Sequence, residues 1–213
     1  MFPPLSPRDP GFVEALRVPG SGDPLRLLVS GCLTGLACKW DLVPYGEAPV
    51  AEAILALPNV RPFPVCPEDR AFGTPRALCN LHGGDGFDAW EGRARVLTEE
   101  GVDWTAPLLA ACEAITARAV ADRIKLALLL DMSAACGSQV ISDGHRLIPD
   151  RRYRRGAGVM AAALRRAGIP VVSQRDFATL ERLWNRLDPT HPVDTAARDH
   201  HETDWYREYF AVR

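Results

Sequence analysis

The aliphatic run Leu25-Arg26-Leu27-Leu28-Val29-Ser30 predicts a buried strand. It leads straight into the two-glycine loop Gly31-Cys32-Leu33-Thr34-Gly35-Leu36-Ala37-Cys38. A helix follows over 49–57, with a proline at its start and Ala, Glu, Ile and Leu behind it. Residues 60–65 predict a second strand, weakened by two prolines, that ends at Cys66-Pro67-Glu68. A glycine-rich middle contains Gly83-Gly84-Asp85-Gly86, and a small strand is predicted over 93–97. Leu108, Leu109, Cys112, Ile115 and Ala119 share one face of a helix over 103–123, with Thr105 as its N-cap. The most aliphatic strand, 124–130, ends at Asp131-Met132-Ser133-Ala134-Ala135-Cys136-Gly137. Val140-Ile141 and Arg146-Leu147-Ile148 flank Ser142-Asp143-Gly144-His145, a hairpin signature turning at Asp-Gly. A helix over 158–167, a strand over 169–172 and a helix over 176–187 complete the pattern.

Short strands alternating with helices imply an α/β class: a single layered domain with a mainly parallel sheet flanked by helices, Rossmann-like. Three segments are expected: a Pro/Gly-rich arm over 1–24, the α/β domain over 25–187, and a polar, aromatic-containing tail over 188–213. No internal repeat interrupts this order.

Composition removes several function classes. The 213 residues are 47% hydrophobic and 24% charged, which excludes wholesale disorder, a fibrous repeat and a coiled coil. Lys and Arg number 25 against 27 Asp and Glu, so no stable nucleic-acid partner is expected. Even Leu126-Ala127-Leu128-Leu129-Leu130 is far short of a membrane span. The first ten residues lack a basic start followed by an apolar stretch, so the expected location is cytoplasmic. Thiols stay reduced there, and the six cysteines then need a reading other than a disulfide framework.

Cys112 sits on an apolar helix face and Cys79 has no special neighbours, so both read as packing residues. Cys32, Cys66 and Cys136 differ. Each follows a predicted strand and has Gly or Pro beside it. In open α/β sheets, ligand sites lie beyond the carboxyl ends of strands. Core packing and a three-thiolate metal site are the competing readings. Thiolates select zinc, copper(I) or iron–sulfur clusters. Zinc sites favour closely spaced pairs, whereas these gaps are 34 and 70 positions. Three dispersed thiolates suit a cubane with one iron left open, and Cys38 is the candidate that would close it.

Three motifs resemble a known family. Val29-Ser30-Gly31-Cys32-Leu33-Thr34-Gly35-Leu36-Ala37-Cys38-Lys39-Trp40-Asp41 is similar to V-S-A-C-L-x-G-x-x-C/V-R-Y-D. Pro64-Val65-Cys66-Pro67-Glu68 through Gly73-Thr74-Pro75-Arg76 is similar to P-V-C-P-E followed by G-x-P-R, and Ser133-Ala134-Ala135-Cys136-Gly137 to S-P-S-C-G. The family is that of the thiouracil desulfidases, and the resemblance runs over roughly residues 26–185. It implies a 4Fe-4S cluster held by Cys32, Cys66 and Cys136. It also implies non-redox conversion of a thiolated pyrimidine to its oxo form, with Glu68 and Ser133 in proton handling or substrate positioning. A small thiolated nucleobase or nucleotide is the implied partner. Ala134-Ala135 replaces the usual Pro-Ser, and Leu130 stands where a basic residue is usual. These departures bear on the substrate more than on the thiolates.

The remaining candidates keep two readings each. Glu68 is a general base or a helix-start carboxylate, and Ser133 a proton relay or a turn hydroxyl. Asp131 is a further acid at a strand end. Arg76 and the run Arg151-Arg152-Tyr153-Arg154-Arg155 are phosphate binders or solvated basic surface. Trp40 and Tyr45 are walls on which a base stacks, or core. His200-His201 reads as a surface pair. The alternative to an enzyme is a non-catalytic metal- or cluster-binding protein with structural cysteines.

Overall fold

The computed structural model describes residues 11–17, 19–20, 22–43 and 45–211. Its centre is a four-stranded sheet. The strands β1 (Leu25–Ser30), β2 (Val60–Val65), β5 (Leu126–Leu129) and β8 (Val171–Ser173) lie in the order β2-β1-β5-β8, all parallel. Two antiparallel pairs flank it: β3 (Cys79–His82) with β4 (Arg95–Thr98), and β6 (Val140–Asp143) with β7 (Arg152–Arg155).

Side chains alternate across the strands and build two cores. Leu27, Val29, Leu126, Leu128 and Val172 pack on one face with α2 (Pro49–Leu55) and α7 (Phe177–Leu187). Leu28, Ala127, Leu129 and Val171 pack on the other with α5 (Thr105–Ala121) and α6 (Val159–Arg166). Burial on both faces explains why Leu27, Leu28 and Val29 of β1 and all of β5 are aliphatic instead of alternating with polar residues. The prolines of β2, Pro62 and Pro64, are tolerated because β2 is the edge strand.

Several local expectations are corrected. The glycine-rich middle holds β3 and a short helix, α4 (Gly86–Trp90), capped reciprocally by Asp85 and Asp88. Trp104 takes the N-cap place of α5; Thr105 begins the helix and its hydroxyl accepts the Val96 N–H at 2.9 Å. No tight Asp-Gly hairpin forms. β6 pairs with β7, and residues 144–151 make a longer loop, because Gly144 N–H is bound to the Leu81 carbonyl and Arg146 is held by Asn80 and the Cys79 carbonyl. Within the N-terminal segment, Gly11–Ala15 is a helix, α1, whose Val13 is buried; residues 1–10 lie outside the described residues. The C-terminal segment contains α8 (Asp204–Ala211), whose Tyr206 and Phe210 pack on Val140. The helix α3 (Pro67–Phe72) starts directly after Cys66.

The loop bearing Cys136 is packed backbone to backbone. Gly158 N–H donates to the Gly137 carbonyl at 2.7 Å, and Gly86 N–H to the Ala157 carbonyl at 2.6 Å. A Cβ on Gly158 would overlap the Ala135 carbonyl, and one on Gly137 would sit 2.6 Å from the Val140 carbonyl. Gly158→Ala is therefore expected to lower stability by about 1–3 kcal/mol, the usual cost of overpacking. Gly22→Ala, with open space around it, should change stability by less than about 0.5 kcal/mol. Urea denaturation followed by circular dichroism checks both, and equal effects at the two positions would contradict the close stacking.

Candidate active site

The parallel order of β2, β1 and β5 sends three chain segments out at the same sheet edge. Cys32 lies in the 3₁₀ turn Gly31–Thr34 that follows β1. Cys66 is the N-cap of α3 after β2, and its sulfur accepts the Asp69 N–H at 3.4 Å. Cys136 lies in the loop after β5, where its N–H donates to the Ser133 hydroxyl at 3.2 Å. Cys38 returns to this group from the loop after the 3₁₀ turn. Its carbonyl accepts the Cys66 thiol at 3.5 Å, and a Cβ on Gly31 would sit 3.3 Å from its sulfur.

The thiols constrain one another. Contact with Cys32 is the main cause that pushes Cys38 up to about 11, with Cys66 acting in the opposite sense. Contact with Cys38 and burial raise the Cys66 thiol strongly. Burial raises Cys136, again strongly, and a hydrogen bond from Ser30 partly offsets it. Without a cation these groups are neutral thiols. With one they are thiolates, because a metal deprotonates the sulfur that it binds. A tetrahedral zinc site with bonds of about 2.3 Å holds its sulfurs about 3.8 Å apart. Among the described residues no three cysteine sulfurs lie within 4.8 Å of one another. The donor set is all sulfur, the chemistry that zinc, copper(I) and iron–sulfur clusters select.

Beside the thiols sits a buried ion pair. Arg76 Nη2 donates to Glu68 Oε2 at 3.0 Å, and the side chains are 3% and 11% exposed. The same Nη2 donates to the Cys38 carbonyl at 3.0 Å and lies 3.9 Å from the Cys66 sulfur. Arg76 Nη1 is tied to the Gly73 carbonyl and the Thr74 hydroxyl. Arg76 Nε has no partner among the described residues. Arginine thus joins the carboxylate, one cysteine and the loop of another.

A model of the 2-thiouracil desulfurase family matches residues 27–176 of this chain. The chain belongs to that family. It is 31% identical over 153 residues to YbbK of Bacillus subtilis (strain 168), an uncharacterised protein, covering 71% of this chain and 97% of YbbK. The solved structure of the 4Fe-4S-dependent thiouracil desulfidase TudS is 31% identical, with a TM-score of 0.57, covering 70% of this chain and 89% of TudS. Everything after Asp176 lies beyond the family match.

The other candidate residues divide within this family frame. The Trp40 carbonyl accepts the Arg76 N–H at 3.2 Å, so Trp40 borders the ion pair. Tyr45 lies toward β8 instead, where its hydroxyl accepts Gln174 Nε2 at 2.8 Å; it packs on the same apolar cluster as Cys32. Asp131 is fully enclosed. Its Oδ1 accepts the N–H groups of Ser138, Gln139 and Val140, which closes the Cys136 loop, and its Oδ2 meets His200 Nδ1 at 2.7 Å. His200 is thus not on the surface; it is 2% exposed. His201 is only partly covered, and one of its ring nitrogens approaches Asp176 and Asp199. Those carboxylates already serve the start of α7, where Asp199 accepts the N–H and hydroxyl of Thr179. Arg151 and Arg152 are exposed, and Arg154 reaches Asp143 at 3.9 Å.

Reasoning from the sequence missed Ser30, Cys79 and Cys112 as neighbours of the site. Ser30 accepts the Leu130 N–H at 2.9 Å and bonds the Cys136 thiol, joining two strand ends. Its place directly before Gly31-Cys32 was the available signal. Cys79 and Cys112 are buried behind Glu68 and Cys66, and burial raises both thiols.

The ion pair supplies a test of this geometry. Arg76→Met leaves the Glu68 carboxylate buried without its partner and should cost about 3–5 kcal/mol. Glu68→Gln combined with Arg76→Met removes both charges and should recover at least half of that loss. Urea unfolding of the two proteins measures the difference, and a loss below about 1 kcal/mol for Arg76→Met would remove the case for a buried, interdependent pair.

Proposed function

We propose that the protein removes the sulfur of a thiolated pyrimidine of the 2-thiouracil kind, using a 4Fe-4S cluster held by Cys32, Cys66 and Cys136. The observation that carries this reading is the gathering of thiols from three adjacent strand ends, with Cys38 in contact with Cys32 and Cys66 and with Cys136 near enough to feel Cys66. The desulfurase family match and the likeness to TudS support the same chemistry. When bound, such a cluster supplies a Lewis-acidic iron that prefers a soft sulfur donor to water oxygen.

The net change is hydrolytic. Water adds to the thiocarbonyl carbon, the C–S bond breaks, and sulfur leaves as sulfide while the carbon keeps its oxidation level. Two protons must be moved. Glu68 takes one from the attacking water, and Arg76 holds its carboxylate in place beside Cys66. Ser133, whose hydroxyl already receives the Cys136 N–H, passes a proton toward the ring. The unpartnered Nε of Arg76 offers a donor to a ring carbonyl, and Trp40, whose carbonyl meets the Arg76 N–H, is the wall on which the ring stacks. No helix among the described residues is long and apolar enough to cross a membrane, and six free cysteines suit a reducing compartment, which we take to be the cytoplasm.

Cys38 separates this reading from a closed, non-catalytic centre. Anaerobic reconstitution should give iron and acid-labile sulfide counts matching a 4Fe-4S cluster. Cys32→Ser, Cys66→Ser and Cys136→Ser should each lose that iron and release no sulfide from 2-thiouracil. Cys38→Ser should keep both. Glu68→Gln should keep the iron while sulfide release falls about 10²–10⁴-fold. If Cys38→Ser strips the cluster as the other three do, the centre has no open iron and the enzymatic reading fails.

A further inference from the structure

The loop that carries Cys136 runs from Asp131 to Val140, and the Met132 N–H closes its ends by donating to the Val140 carbonyl at 3.0 Å. The loop has few side chains with which to hold itself: residues 134, 135 and 137 are Ala, Ala and Gly. Its entry is also strained. Met132 sits at a φ of 59°, the left-handed region that side chains other than glycine's rarely adopt. Such a conformation persists only where the surroundings over-determine it. The far side of the loop is fixed by α6, through the Gly158 N–H on the Gly137 carbonyl. Its base is held by something else.

Three contacts reach that base from residues beyond the family match, which ends at Asp176. His200 Nδ1 lies 2.7 Å from Asp131 Oδ2, while Oδ1 of the same carboxylate takes the N–H groups of Ser138, Gln139 and Val140. The His200 backbone N–H donates to Asp176 Oδ1 at 3.2 Å, and Gln139 Nε2 donates to that same oxygen at 2.5 Å. Tyr206 and Phe210 of α8 form one apolar cluster with Val140, and Met132 packs against it. His200 therefore meets the loop through two carboxylates, one serving its backbone and the other a side chain, and α8 covers the strained residue. Neither contact depends on which of Asp131 and His200 carries the proton between them.

We infer that the C-terminal segment is a brace for the Cys136 loop and that His200 is its positioning residue, holding the Cys136 sulfur at the strand edge it shares with Cys32 and Cys66. The brace itself is independent of any cluster; its consequence for iron and for sulfide release rests on the desulfidase reading. His200→Leu removes the bond to Asp131. His200→Asn keeps one, because an amide can donate to Asp131 or accept from it.

The test starts with the full chain before reconstitution, since thiol reactivity needs no metal. Limiting iodoacetamide followed by peptide mass mapping gives the alkylation rates of Cys136 and of Cys112, which is buried in α5 and reports on global unfolding. His200→Leu should alkylate Cys136 about tenfold faster or more while Cys112 stays as slow as in the unmodified protein, the mark of a local opening. His200→Asn should restore the slow rate. Trp205→Ala is the second variant: Trp205 is 39% exposed, and its ring stacks on His200 with centroids 5.4 Å apart, so it weakens the brace from the surface. It should speed Cys136 in the same selective way. After anaerobic reconstitution, iron loss to a chelator should be about 10–100-fold faster in His200→Leu and slow again in His200→Asn. An unchanged Cys136 rate in His200→Leu overturns the inference, as does failure of His200→Asn to rescue, or equal acceleration of Cys136 and Cys112 in both His200→Leu and Trp205→Ala. A protein that shows the selective alkylation pattern but neither holds iron nor releases sulfide would sink the desulfidase reading and support the brace. One that holds iron and releases sulfide, with Cys136 equally protected in every variant, would sink this inference alone.

Discussion

Sulfurs crowded at one buried sheet edge cannot all become anions without a cation between them. Burial raises Cys66 and Cys136, contact with Cys38 raises Cys66 further, and contact with Cys32 raises Cys38. A protein that needed only to be stable would fill this edge with aliphatic side chains, as it does on both sheet faces. Four thiols in place of four hydrophobes give little extra packing, since free cysteine already behaves as a small hydrophobe. Their arrangement gains purpose only when a metal neutralises the charge. The sheet supplies the means: parallel strands deliver successive loops to one edge, so residues 34 and 70 positions apart become neighbours.

The parts of this site that could be read in the sequence are those where chemistry and backbone are contiguous. Strand, glycine and cysteine follow one another at Val29-Ser30-Gly31-Cys32, and a Cβ at the glycine would come within 3.1 Å of Leu36 and 3.3 Å of the Cys38 sulfur. Strand, cysteine and proline do so at Val65-Cys66-Pro67, where Pro67 also opens α3. What could not be read depends on partners distant in the chain. β3 carries Asn80, which interrupts any apolar pattern; its amide is satisfied by Glu99 and Arg146, which no local window contains. Arg146 is also why Arg146-Leu147-Ile148 does not return as a strand: the arginine is drawn back to β3, and Leu147 and Ile148 are left exposed. The pairing of Glu68 with Arg76 requires the turn after α3 to bring residues eight positions apart together. His200 reads as an ordinary surface residue because the carboxylate that buries it is 69 positions upstream.

Asp131 shows how the C-terminal segment became part of the site region instead of an appendage. A fully enclosed carboxylate is costly unless every lone pair is used. Three N–H groups of the Cys136 loop use one oxygen, and His200 uses the other. The loop that positions a thiol therefore depends on a histidine from outside the family match. That histidine is in turn held by its own N–H to Asp176 and by the aromatic group Trp205, Tyr206 and Phe210. Packing of α8 against Val140 at the start of β6 fixes the same loop from its far side.

Arg76 makes the corresponding link at the other end of the site. One guanidinium nitrogen faces Glu68, the Cys38 carbonyl and the Cys66 sulfur, so charge on any of these is felt by the others. A thiolate at Cys66 and a carboxylate at Glu68 are like charges, and alone each would oppose ionisation of its neighbour. The arginine between them opposes that repulsion. A lysine could not do this equally well, because a point charge cannot present several donors in one fixed plane. The Glu68 carboxylate and the Cys66 sulfur are thus electrostatically one unit, assembled from the start of a short helix and the turn that follows it.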